Sequence, residues 1–161
     1  MKLLLIGQMG SGKDTVAYIL KQSYSYSIAK LGKYIRKHVD ELFPELTDSQ
    51  KRSYYQQYGE GMREFFGTFL WCEVLDKENQ DANIVIADCR QPHEIQYFTK
   101  QGYIPIAIKM NDTARLKRIK ERDGDNFDPD VFYHPTEKSA KNIINQIESG
   151  ILPGYIIHND G

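Results

Sequence analysis

Little in this chain marks it for an oxidising, membrane or nucleic-acid setting. Cys72 and Cys89 are the only cysteines. Two do not make a disulfide framework, and free thiols fit a reducing cytoplasm. Charge of one sign is also scarce: 21 Lys and Arg face 22 Asp and Glu, for a net charge of −1. The whole molecule therefore offers no positive field for DNA, RNA or an anionic membrane, although Lys109, Arg115, Lys117, Arg118, Lys120 and Arg122 cluster in sequence. Long hydrophobic runs are missing as well. The opening Leu3-Leu4-Leu5-Ile6 stops after four residues at a glycine, too short for a signal-peptide core or a membrane span, and it reads as a buried strand. No internal repeat or low-complexity tract is visible. His38, His93, His134 and His158 have no zinc-ligand spacing. Asp123, Asp125, Asp128 and Asp130 lack the spacing and late glutamate of an EF-hand. What remains is an ordinary globular composition, 40% hydrophobic and 27% charged over 161 residues, which suits one compact domain.

Strand and helix patterns alternate along that domain. Strands are expected at Lys2 to Ile6, Ser27 to Lys30, Ile84 to Ala87, Ile104 to Lys109 and Tyr155 to His158. The run Ile84-Val85-Ile86-Ala87 has the continuous apolar character of a central parallel strand covered on both faces. Pro105 places the start of its strand at a sheet edge or a strand end. Helices are expected from Lys13 to Gln22, from Leu31 to Phe43, from about Gln50 behind a Thr47-Asp48-Ser49 cap, and from Met62 to Asn79, with Gly59 and Gly61 interrupting the pattern between the last two. Further helices are expected from Pro92 to Gln101, from Thr113 to Arg122 and from Glu137 to Glu148, with an acidic loop at Asp123 to His134. The expected fold is α/β: three layers, with a parallel five-stranded sheet and helices on both faces. Strand order does not follow from the pattern.

One motif carries chemistry. Gly7-Gln8-Met9-Gly10-Ser11-Gly12-Lys13 matches G-x-x-x-x-G-K, directly after a strand and before a helix. Glycines let the backbone curl so that successive N–H groups face phosphate oxygens, and the helix N-terminus adds partial positive charge. Lys13 can reach the β- and γ-phosphates of a nucleoside triphosphate. Asp14 stands where a Ser or Thr normally ligates magnesium, with Thr15 after it. Asp14 could hold the ion directly or through water, or it could simply start the helix while Thr15 contacts the α-phosphate. Asp88 follows the central apolar strand, where ligands of open α/β sheets gather and where P-loop enzymes place a magnesium-binding acid. Arg90, two residues on, could fork onto a second phosphate, and Glu94 is a first-turn helix acid. No Asn-Lys-x-Asp guanine motif is present, which argues against a GTP-binding switch.

Together Gly7 to Thr15, Asp88-Cys89-Arg90 with Glu94, and His134-Pro135-Thr136-Glu137 resemble the phage and bacterial deoxynucleoside monophosphate kinases, within the adenylate-kinase-like P-loop kinases. The resemblance covers nearly the whole chain. The Lys-Asp variant of the loop also occurs in the similar animal-type phosphomevalonate kinases. The resemblance implies a three-layer P-loop NTP hydrolase-type fold in one kinase domain over 1–161, with a helical acceptor-binding insert at about 31–80 and a lid at about 111–138. It implies that Arg36 and Arg63, with Arg90, grip the acceptor monophosphate, and that Arg115, Arg118 and Arg122 resemble the lid arginines that close over the transferring phosphoryl group. Tyr155 to Gly161 resembles the last strand and adenine-side turn, which brings Asn159 to the nucleotide. Relatives continue with a final helix after this turn.

The resulting expectation is a cytoplasmic phosphotransferase using ATP and magnesium on a (deoxy)nucleoside monophosphate, acting as a monomer or homodimer without nucleic acid or membrane. Lys13, Arg90, Arg118 and Arg122 would be catalytic. Gly7, Gly10, Ser11, Gly12, Lys13, Asp14, Thr15 and Asn159 would bind ATP, and Asp88 and Asp14 would hold the metal. The alternatives are a kinase of another phosphorylated small molecule such as phosphomevalonate, and a nucleotide-binding protein without turnover.

Overall fold

The central strand of the sheet is the first one in the chain. The computed structural model describes residues 1–160. It places β1 (Lys2–Ile6), β2 (Ser27–Ala29), β3 (Ile84–Ile86), β4 (Ile104–Lys109) and β5 (Tyr155–His158) in the order β2-β3-β1-β4-β5. Every pairing is parallel, with Leu4 opposite Ile86 on one side and Pro105 on the other. Strand alternation sends β1 side chains to two cores. Leu4 and Ile6 join Trp71, Leu75, Phe98 and Ile144 on one face of the sheet. Leu3 and Leu5 join Ala17, Val85 and Ile108 on the other. Fully burying such a side chain stabilises the fold by about 1.5–3 kcal/mol, and all four apolar residues of β1 are buried. The apolar run that opens the sequence is thus the axis of the protein, and the three-layer reading holds.

Helix α1 (Lys13–Tyr24) covers one face; α4 (Leu70–Glu78), α5 (Pro92–Lys100) and α8 (Pro135–Glu148) cover the other. Pro105 sits in an interior strand, but β5 begins to pair only at Ile106. The missing N–H therefore falls at a strand end and costs no ladder bond there.

Between β2 and β3 lie α2 (Gly32–Leu42), α3 (Asp48–Phe66) and α4. Thr47 caps α3 through a reciprocal capping box with Gln50. The expected interruption at Gly59 and Gly61 is not there: α3 runs straight through both for 19 residues. Gly59 is a packing residue instead. A Cβ on it would lie 2.9 Å from Ile35 Cδ1 of α2, and its carbonyl accepts from Trp71 Nε1 at 3.1 Å. The chain breaks at Gly67, whose φ of 114° lies in the region that glycine tolerates best. The expected acidic loop after α6 (Asp112–Asp123) contains a 3₁₀ turn at Gly124–Asn126 and the short helix α7 (Pro129–Phe132). Among the described residues no helix is long and apolar enough to cross a membrane.

Candidate functional site

The loop between β1 and α1 leaves the sheet at the carboxyl end of its central strand. Gly10 and Gly12 adopt φ of 78° and 95°, a curl that residues with a Cβ avoid. The space around them is closed too. A Cβ on Gly12 would lie 2.6 Å from Asn159 Nδ2, and one on Gly10 would lie 3.0 Å from Ile119 Cγ1 and 3.2 Å from the Arg115 carbonyl. Gly7 faces the buried Ser11 side chain in the same way.

Lys13 follows this curl and is only 6% exposed. Among the described residues its ammonium makes no hydrogen bond or ion pair within the protein. Burial lowers its pKa, the charge of Arg90 lowers it further, and Asp14, Glu137 and Asp88 oppose the shift. A buried cation with only distant counter-charges, beside a helix N-terminus, is arranged to receive an anion.

A cavity of about 600 Å³ opens over the loop. It brings together Gly10 to Thr15, Arg118 and Arg122 from α6, and Asn159 after β5. Ile19, Ile108 and Ile157 supply apolar wall. Arg118 reaches the loop: its Nη1 would lie 3.6 Å from a Cβ on Gly12. Arg122 stands on the rim, held by Asp123 at 2.6 and 3.0 Å. The turn after β5 is tied to both neighbours. Asn159 Nδ2 donates to the Ser11 carbonyl at 2.9 Å, and Asp160 accepts from the Asn111 backbone N–H at 2.8 Å. Gly161, the last residue of the expected adenine-side turn, lies outside the described residues.

Arg115, grouped with the other α6 arginines by sequence, is elsewhere. It is 1% exposed and enclosed by protein partners. Its Nε donates to the Met9 carbonyl at 3.0 Å, its Nη1 to Asp112 at 2.7 Å and its Nη2 to Glu137 at 3.0 Å. Its guanidinium carbon lies 4.6 Å from the Phe132 ring centroid. It faces inward because it lies one helical turn before Arg118, against the loop rather than over the cavity.

Asp88 lies at the end of β3, as the apolar run implies, but its carboxylate is occupied by backbone. Oδ1 accepts from Leu31 N–H at 3.0 Å and Oδ2 from Gly32 N–H at 3.1 Å. It therefore holds the start of α2 to the sheet. Burial raises its pKa against the effect of those two bonds. Asp14 is exposed at the cavity floor and faces Lys13 and Arg122. Among the described residues no group of three or more His, Cys, Asp or Glu is gathered to hold a metal.

The remaining arginines do not share one pocket. Arg90 stands between the loop and α8, with Nη1 3.8 Å from Glu137 Oε1 and its charge felt at Lys13. Glu94 accepts from the backbone N–H groups of Arg90 and Gln91 at 2.8 and 3.1 Å, which fixes the turn that presents Arg90. Arg36 lines a separate hollow of about 280 Å³ with Arg52, Tyr55 and His134. Its guanidinium and Asp88 both lie within 4 Å of a Cβ built on Gly32. Arg63 lines neither cavity. It neighbours Glu94 and His93, and its charge adds to burial in lowering the His93 pKa. The two cysteines are buried, and desolvation pushes the Cys72 thiol up to about 12, so neither is a nucleophile.

Sequence reasoning singled out Glu137 with His134-Pro135-Thr136 but gave it no role at the phosphate loop. It is 3% exposed and accepts the Met9 N–H on both oxygens, at 3.1 and 2.9 Å. Its only local signal is a first-turn position behind His134-Pro135, where Nδ1 of His134 accepts the Thr136 N–H. Arg52 went unnoticed, since nothing local separates it from any solvated helix charge.

Comparison with known proteins bears on the family and the fold. A family model described as an AAA domain matches residues 3–144. A search of curated proteins gives no match. Among solved structures, TT1252 from Thermus thermophilus is similar at 16% identity over 99% of this chain and 90% of that one, with a TM-score of 0.56. A gluconokinase from Sinorhizobium meliloti 1021 is similar at 12% identity over 98% and 81%, with a TM-score of 0.51. At such identities these two establish the fold. The matching family is broader than the deoxynucleoside monophosphate kinases that the motifs resemble. With its phosphate loop, Asp88 and α6 all inside the matched span, the chain belongs to this AAA-domain family of P-loop proteins.

Proposed function

We propose that this protein is a small kinase that moves the γ-phosphoryl group of ATP to a (deoxy)nucleoside monophosphate. The observation that carries this reading is the buried, unpartnered ammonium of Lys13 on a curled glycine loop, with Arg118 entering the same cavity from α6. A triphosphate laid on the loop would meet backbone N–H groups, a helix N-terminus, Lys13 and Arg118 together. Asn159 and the isoleucines of the cavity wall would border its base.

Phosphoryl transfer of this kind needs positioning and charge stabilisation rather than covalent chemistry. Lys13 would neutralise the β- and γ-phosphates. Arg118 would add charge opposite the transferring group, and Arg122 would follow once released from Asp123. Arg90, presented by Glu94 and set close to Lys13, is suited to hold the acceptor phosphate next to the donor. Arg36, beside Asp88 in the smaller hollow, would orient that acceptor from α2, and Arg63 would steer it from α3. An acceptor phosphate is already anionic near neutral pH, so no general base is required.

Magnesium would take Asp14 from the cavity and Asp88 from the end of β3, although Asp88 is not among the residues that line the cavity. Asp14 is exposed in the cavity beside Thr15, and each Asp88 oxygen keeps a lone pair beyond its backbone bond. Two such carboxylates suit an ion that keeps several waters and binds phosphate oxygens. Bound there, the ion would supply positive charge to the β- and γ-phosphates.

The test is ADP release from magnesium-ATP across all ribo- and deoxynucleoside monophosphates, with phosphomevalonate as a competing acceptor. Release that depends on one or a few nucleoside monophosphates is expected. Release driven only by phosphomevalonate, or by no acceptor at all, would overturn the assignment.

A further inference from the structure

Met9 lies within the phosphate loop, and both of its backbone polar groups are taken by one buried ion pair. Its N–H donates to Glu137, and its carbonyl accepts from Arg115 Nε. The two side chains also bond each other at 3.0 Å, and they are 3% and 1% exposed. Gln8 Nε2 adds a bond of 3.4 Å to the Glu137 carbonyl. Such a pair is costly to desolvate and is weak as simple glue between helices. Here its hydrogen bonds run to the loop rather than only between α6 and α8. Arg115 also shares a helix face with Arg118 and Arg122, at i+3 and i+7. Whatever fixes Arg115 against Met9 fixes where those two arginines stand over Lys13.

We propose that Glu137 and Arg115 are positioning residues that couple the phosphate loop to Arg118 and Arg122. Neither touches the nucleotide. Glu137 sets Arg115, Arg115 sets the rotation and height of α6, and α6 delivers its arginines to the cavity. The pair also places a carboxylate 3.8 Å from Arg90, so the same device restrains the guanidinium on the acceptor side. This inference rests on the loop being a nucleotide seat.

The test is a double-mutant cycle read as magnesium-ATP affinity by calorimetry, which needs no acceptor and no turnover. Arg118→Ala should weaken ATP binding about tenfold in the otherwise native protein, as expected for a lost charge-assisted bond. In the Glu137→Gln background the same change should cost no more than about twofold, because the arginine is already misplaced. Asn159→Ala, which acts on Ser11 from the β5 side, should cost the same in both backgrounds. Additive effects of Arg118→Ala and Glu137→Gln would overturn the proposal. Should Glu137→Gln fail to fold, Arg115→Lys carries the cycle, since it keeps the charge but cannot reach Met9 and Glu137 together. Loss of the fold in both would mark the pair as purely structural, which also overturns the proposal. If the native protein binds no ATP, the nucleotide-seat reading itself fails, and the coupling falls with it.

Discussion

The two sides of this protein treat positive charge in opposite ways. On the loop side, Lys13 and Arg115 are buried, and the backbone around them is pinned at Met9 by Glu137 and at Ser11 by Asn159. On the side of the helical insert, Arg36 and Arg52 are exposed, Arg63 is half-buried, and Phe65 and Phe66 of α3 are 81% and 60% exposed. The loop side is preorganised, with its desolvation cost already met by folding. The insert side presents charges that have not converged on one point. Under the proposed function, a donor seat of the first kind works in a protein at rest. An acceptor seat of the second kind needs the ligand, or a closing movement, to assemble it.

The largest effect should separate the sides most sharply. Lys13→Ala removes the one buried cation of the cavity and should lower turnover by about 10² to 10³-fold, the loss typical of a preorganised charge-stabilising donor, while the thermal melt stays cooperative. A smaller loss would mean the loop side is less preorganised than its burial suggests. Gly12→Ala attacks the same side through the backbone. With φ at 95° and Asn159 Nδ2 2.6 Å from the new Cβ, it should destabilise the fold by about 1–3 kcal/mol and loosen the turn after β5. An unchanged melting temperature would show that this contact yields freely.

Arg90→Ala probes the boundary between the sides. It should raise the acceptor KM by about tenfold, the scale of a lost charge-assisted bond, with a lesser change for ATP; equal losses would remove it from the acceptor side. The smallest expected effect is in pH. Burial, followed by Arg90, holds the Lys13 pKa below its ordinary value. In the window between the lowered and the ordinary pKa, the unfolded chain binds more protons than the folded protein. The cost of burying this charge is therefore largest below the lowered pKa and fades as pH rises through that window. ATP binding runs the other way, because it needs the charged form. Affinity should begin to fall at a pH below the ordinary lysine pKa, by up to about tenfold per pH unit, and Lys13→Met should lose that dependence.

The same contrast explains what could be read from the sequence. β1, the loop and α1 are one contiguous stretch whose composition dictates strand, curl and helix, so these elements were legible in the sequence, although α1 runs on to Tyr24, two residues past its expected end. β3 and Asp88 were legible for the same reason: a short apolar run ends at a polar residue. Parallel pairing was implied by alternation, but the order β2-β3-β1-β4-β5 depends on crossovers that no local pattern encodes. In the insert, glycine misled. Gly59 and Gly61 look like punctuation, yet Gly59 is small because Ile35 presses against it, while Gly67 makes the real break. Arg115, Arg118 and Arg122 are alike in sequence, and only packing against Met9 turns the first inward. The hold of Glu137 on Met9 and Arg115 was illegible because these partners lie 128 and 22 positions away.

Calorimetric titration of magnesium-ATP into the native protein and into Lys13→Ala tests the loop as a phosphate cradle most directly. Saturable one-to-one binding that inorganic triphosphate displaces, and that weakens by at least about tenfold without the ammonium, is the predicted result. Absence of binding in the native protein, or equal affinity in both, would contradict it.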